Sequence, residues 1–227
     1  VDAVTLSASA SLEEAGALLW VLPSPPGFAG SGQFADPLVA LADLTRTGMA
    51  SLNRTATQLG GGGAAAIARI AAGFALPMAD APMHARIAAH WSVSGERVDS
   101  LRQALVLMAD HELNASTFAV RVAASTGASI AASLLAGLAT LSGPRHGGAG
   151  AALAILVQMA ERQGAPAALQ GWLASGHALP GFGHPLYPQG DARAQTLLAR
   201  LDLDPVMATL RDAVAETTGQ LPNIDFA

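Results

Sequence analysis

The chain contains no cysteine and no lysine. Without thiols it has no disulfide framework, no thiolate nucleophile and no cysteine-ligated zinc. Without lysine it has neither a Schiff-base nucleophile nor the cation of a phosphate-cradling P-loop. All twelve residues counted as Lys plus Arg are arginine, scattered through a chain of formal net charge −5. Nucleic acid, whose phosphates require a dense cationic face, is not an expected partner. Aromatic residues are also scarce, at 4%, and charged residues make up only 13%.

Alanine and aliphatic side chains fill the gap: 51% of the 227 residues are hydrophobic, enough to bury a large core in one or two domains. Close packing of small side chains favours helices. No positively charged segment leads an apolar run at the N-terminus, so no secretory signal is expected and the cytoplasm is the expected location. The uncharged stretch 122–141 has the length of a membrane span, but Ser125, Thr126, Ser129, Ser133 and Thr140 make it read as a buried helix.

Caps and breakers divide the chain further. Ser11 with Glu13 and Glu14 marks a helix start, running to about 22, where Pro23, Pro25 and Pro26 stop it. Helices are then predicted over 36–58, 64–74, 84–91 and 96–110, with Gly60 to Gly63 as a break. Asn114 or Ser116 caps a helix extending to about 141, on which Ala119, Ala123, Gly127 and Ala131 form a small-residue face. Further helices are predicted over 149–163, 165–175, 191–201 and 205–218, and a short strand near 4–6. The fold class is all-α.

Chemistry concentrates in three histidine settings: His111 in ADHELNAST (109–117), His146 in GPRHGGA (143–149) and His184 in GFGHPLYPQGDAR (181–193). Glycine beside a histidine lets the backbone approach a ligand closely, although a loop histidine bonded to a carbonyl has the same look. Spacings of 35 and 38 residues, with no HxxxH or HxH pair, carry no metal signal, so no metal site is expected. His84, His90 and His177 lack such settings and read as surface or core residues. Arg193, nine residues after His184, sits where a guanidinium can grip a carboxylate with two hydrogen bonds, or else pair with Asp191. Asp225 in LPNIDFA is equally open, since Asn and Asp after Pro commonly make a turn.

Taken in order, ADHELNAST, GPRHGGA, GFGHPLYPQGDARA and PNIDFA closely resemble the citrate synthase family, specifically from about Arg102 to Ala227. The resemblance implies a multi-helical fold with a large domain, 1–147, carrying His111 and His146, and a small one, 148–227, that closes over the substrates. It implies condensation of acetyl-CoA with oxaloacetate to give citrate and CoA, in a homodimer whose interface includes the helix after Asn114. No cofactor is bound permanently; the coenzyme A thioester is a substrate. Asp225 takes the place of the base that deprotonates the acetyl methyl group in a poorly solvated cleft, and His146 that of the group stabilising the enolate. His184 polarises and protonates the ketone, while His111 and Arg193 join it in binding oxaloacetate. Ala178, Leu179, Gly181, Phe182 and Gly183 correspond to the loop that recognises the adenine end of CoA.

Departures leave alternatives open. Family members continue past Asp225 with helices bearing further arginines, so the chain is expected to lack the C-terminal segment. Pro185 and Pro188 stand where basic residues are common, and Arg145 where an apolar one is usual. A 2-methylcitrate synthase using propionyl-CoA, a citryl-CoA lyase and a catalytically silent CoA- or dicarboxylate-binding homologue are the rival readings.

Overall fold

A computed structural model describes residues 2–29, 34–77, 80–109, 113–143 and 146–227. Among them are twelve α-helices and no strand; one isolated antiparallel bridge joins Phe182 and Pro222. The chain divides into two compact units, Val1–Ser142 and Gly143–Ala227. That division falls five residues before the 147/148 boundary read from the sequence, and it puts His146 in the second unit.

The first unit holds α1 (Ala3–Ser7), α2 (Leu12–Trp20), α3 (Pro37–Thr45), α4 (Ala56–Gly73), α5 (Met83–His90), α6 (Glu96–Leu107), α7 (Ala115–Ser125) and α8 (Ile130–Leu141). Local caps account for several starts. Ser11 and Glu14 exchange side-chain and backbone hydrogen bonds in a capping box, and Asn114 Oδ1 accepts from Thr117 N at 2.8 Å. The stretch expected as a strand is α1 instead, because Asp2 caps it by accepting from Thr5 N at 2.7 Å.

Two helix boundaries also differ from expectation. The predicted 36–58 helix ends at Thr45, and α4 runs through Gly60 to Gly63 rather than breaking there. A Cβ on Gly60 would lie 2.8 Å from Leu22 Cδ2, and one on Gly63 would lie 3.1 Å from Trp20 Cη2. These glycines make room for side chains from the end of α2 and just beyond it, so close packing offsets a helix cost of roughly 1 kcal/mol each. The predicted helix to 141 is split into α7 and α8 at Gly127, whose φ of +81° no helix accommodates, and Ser129 then caps α8. Among the described residues no helix is long and apolar enough to cross a membrane.

Arg102 ties the unit together. Its buried guanidinium donates to the carbonyls of Ser7, Ala8 and Ala10 and to Asp99 Oδ1, closing the end of α1 onto α6. Arg102→Met would fill the volume but strand those acceptors, and we expect it to cost roughly 3 kcal/mol. The check is a lower urea midpoint at unchanged slope.

The second unit holds α9 (Ala149–Gln163), α10 (Ala165–Ala174), α11 (Ala192–Leu198) and α12 (Pro205–Thr218). Helices α9, α10 and α12 pack around Leu156, Leu169, Leu210 and Val214, all fully buried and each contributing roughly 2 kcal/mol. Phe182 and Phe226 complete this core, with ring centres 4.8 Å apart. Those two rings pin together the segments that carry the candidate site.

Candidate functional site

Residues 175–191 form a loop between α10 and α11, and residues 219–227 follow α12. Backbone hydrogen bonds join the two segments: Gly183 N donates to Leu221 O at 2.8 Å, and Asn223 N donates to Gly181 O at 2.9 Å. The Asn223 side chain adds a third, from Nδ2 to Gly183 O at 2.9 Å. Glycine is required on the loop, since Gly181 and Gly183 have φ of +79° and +68°. A side chain at Gly181 would also press on Leu153 and Phe226, 3.2 Å from its Cβ.

This pairing sets His184 on one side of the junction and Asp225 on the other. His184 is half-buried; its Nδ1 accepts from Leu186 N at 3.2 Å, which in the neutral ring leaves the proton on Nε2. The imidazole stacks on Tyr187, with centres 4.7 Å apart. Arg193 lies on the same tyrosine, its Cζ 5.2 Å from the ring centre. A cavity of about 120 Å³ opens here, lined by His184, Tyr187, Asp191, Gln220 and Asn223 among others.

Arg193 is buried and bound to Asp191 by two parallel hydrogen bonds, Nε to Oδ1 at 2.9 Å and NH2 to Oδ2 at 2.8 Å. The sequence left open whether this arginine faces a ligand or its neighbour; that edge of the guanidinium faces Asp191. The Asp191 hydrogen bonds raise the arginine above its ordinary pKa against the cost of burial, and the charges of Asp191, Tyr187 and Asp225 add to the effect. Burial by itself would push the Asp191 carboxyl up, but bonds from Arg193 and from Ile224 N outweigh it and hold Asp191 below the usual carboxylate range. Asp191 was visible in the sequence only as a possible ion-pair partner.

Asp225 follows an Asx turn in which its N–H donates to Asn223 Oδ1 at 2.9 Å. The residue is exposed, so the second unit does not itself supply the poorly solvated setting expected of a base. His146 is half-buried in a turn just before α9, its N–H donating to Gly143 O at 3.0 Å. His111 falls outside the described residues, as do Asp110 and Arg145. Of the expected CoA loop, Ala178 is exposed and its carbonyl accepts from Trp172 Nε1 at 3.1 Å, Leu179 is partly buried, and the Phe182 side chain is in the core. His90 and His177 are exposed, whereas His84 is half-buried with Nδ1 unpaired. Among the described residues no group of three potential ligands gathers to hold a metal ion.

Residues 60–227 match the family model described as the citrate synthase C-terminal domain. The chain is 36% identical over 141 residues to a citrate synthase of Mycolicibacterium smegmatis, covering 57% of this chain and 37% of that protein. It is 46% identical over 95 residues to a putative citrate synthase 2 of Mycobacterium tuberculosis, covering 41% of this chain and 26% of that one. A 2-methylcitrate synthase of Mycobacterium tuberculosis is 34% identical over 143 residues, 57% of this chain and 36% of the relative. The matches thus span between about a quarter and two-fifths of these relatives.

Solved structures extend the likeness to nearly the whole chain. Citrate synthase from Thermotoga maritima superposes with a TM-score of 0.69 at 18% identity, covering 99% of this chain and 73% of that one. A ternary complex of the Thermoplasma acidophilum citrate synthase with carboxymethyl coenzyme A and oxaloacetate gives a TM-score of 0.60 at 22% identity, covering 99% and 65%. At these identities the likeness establishes the fold, which is all-α and citrate synthase-like.

Proposed function

Because the chain belongs to the citrate synthase family, we propose that the protein condenses acetyl-CoA with oxaloacetate and releases citrate and CoA. Asp225 takes a proton from the acetyl methyl group, and the resulting enolate is held by a hydrogen bond from His146 to the thioester oxygen. The enolate carbon attacks the ketone carbon of oxaloacetate, and the ketone oxygen receives its proton from His184. Water then cleaves the citryl thioester to citrate and the free thiol. Arg193 and, by its motif alone, His111 hold the ketoacid. The adenine end of CoA lies along Ala178, Leu179 and the 181–183 backbone.

The observation that carries this reading is the backbone pairing of Gly181 and Gly183 with Leu221 and Asn223, which joins the His184 loop to the Asp225 turn. His184 bonded at Nδ1 is a donor at Nε2, the group needed against a ketone oxygen. Since Asp225 is exposed in its unit, bound substrate has to displace water from it. The protein is proposed to act in the cytoplasm as a homodimer. For the dimer, support comes from α7, which buries none of its residues within the chain and exposes Phe118 and Val122.

The test is release of CoA thiol by the intact protein with oxaloacetate and either acetyl-CoA or propionyl-CoA. Thiol release is expected, fastest with acetyl-CoA. The 34% identity to a 2-methylcitrate synthase favours one second reading, under which propionyl-CoA is turned over faster. Oxaloacetate binding without thiol release identifies a silent binder, and cleavage of citryl-CoA without condensation a lyase.

A further inference from the structure

We propose that Asp191 is the positioning residue of this site: its carboxylate sets both the guanidinium that holds the ketoacid and the turn that carries the base. The inference rests on the functional reading above and adds to it a residue that acts through Arg193 and Ile224.

Asp191 is only 1% exposed, and both of its oxygens are used twice. Oδ1 accepts from Arg193 N at 3.0 Å and from Arg193 Nε at 2.9 Å. Oδ2 accepts from Arg193 NH2 at 2.8 Å and from Ile224 N, 33 residues away, at 3.1 Å. A helix cap needs one oxygen on one nearby N–H and no burial. A surface ion pair needs no backbone donor from a distant segment. Asp191 has what neither role requires, a second oxygen spanning to the residue immediately before Asp225.

Two lines of contact leave this carboxylate. One passes through the Nε and NH2 edge of Arg193 to the Tyr187 ring beneath it, and from there to His184. Recognition of a carboxylate by a guanidinium is directional, so fixing one edge fixes the approach of a substrate. The other line runs through Ile224 N–H to the Asn223–Phe226 turn, whose orientation sets where the Asp225 carboxylate meets the acetyl methyl group. Held as an anion by these donors, Asp191 remains an acceptor for both segments.

Asp191→Asn preserves shape and one cap acceptor but replaces an oxygen by an NH2 that opposes its donors. In the intact protein the variant is expected to raise KM for oxaloacetate about 10-fold and lower kcat about 100-fold. KM for acetyl-CoA should stay within about 3-fold. In an Arg193→Ala background its effect on the oxaloacetate KM should vanish while the effect on kcat persists. Asp212→Asn, which alters an exposed ion pair with Arg211, is the control and should match wild type. A folded Asp191→Asn protein with wild-type kcat and KM, even at a lower melting temperature, overturns the proposal. If that variant does not fold, Asp191→Glu takes its place: displaced kcat and oxaloacetate KM support the proposal, and wild-type kinetics overturn it. Wild-type protein that neither releases thiol nor binds oxaloacetate overturns the functional reading and this inference together, whereas wild-type turnover with unmoved variants overturns this inference alone.

Discussion

Replacing Asp225 by asparagine is expected to lower kcat for thiol release about 1000-fold, the range supplied by a well-placed general base. The local fold should survive, because the Asx turn uses the Asp225 backbone N–H and the Asn223 side chain, not the Asp225 carboxylate. Exposure of the residue points the same way, since no buried partner is stranded by the change. Binding of oxaloacetate, measured by calorimetry, should therefore remain within a few-fold of wild type while turnover falls. Activity close to wild type in a folded Asp225→Asn protein would remove the general-base assignment.

His184→Ala should be about as damaging to kcat, again roughly 1000-fold, because it removes the donor proposed to act where negative charge develops on the ketone oxygen. The substitution also removes the acceptor for Leu186 N–H and the ring that covers Tyr187. His184→Gln separates these losses. An amide can still donate to the ketone but cannot protonate it, so Gln should recover part of the oxaloacetate affinity lost in Ala and little of the rate. The comparison is made on single-turnover rates and oxaloacetate Kd at one pH. Equal kcat in wild type and His184→Ala would sink the assignment.

Local caps made some helix starts legible in the sequence, as at Ser11 and Asn114, whereas equally local caps at Asp2, Thr55 and Ser129 went unread. Ser11 with Glu14, and Asn114 with Thr117, bond as local chemistry dictates. The glycines were misread for the complementary reason: conformational cost is local, but the space Gly60 and Gly63 leave is used by Leu22 and Trp20, some forty residues earlier. Gly127 was read as one of a small-residue series, and only its backbone conformation identifies it as the break between α7 and α8. Within the site, the motifs named His146, His184, Arg193 and Asp225 but assigned Asp191 no more than a possible ion pair. Nothing near position 191 announces a backbone donor at 224.

The helical class and the family resemblance were readable from the chain alone, which also named the side chains proposed to carry the chemistry, because composition, caps and ordered motifs are properties of the chain read locally. Only the tertiary structure decided that the Gly181–Gly183 loop pairs with the segment after α12, and that Arg193 presents one edge to a buried carboxylate. Those contacts depend on Phe182 and Phe226 meeting in the core of the second unit, 44 positions apart. Packing at that separation follows from the whole core and leaves no periodic trace in either segment.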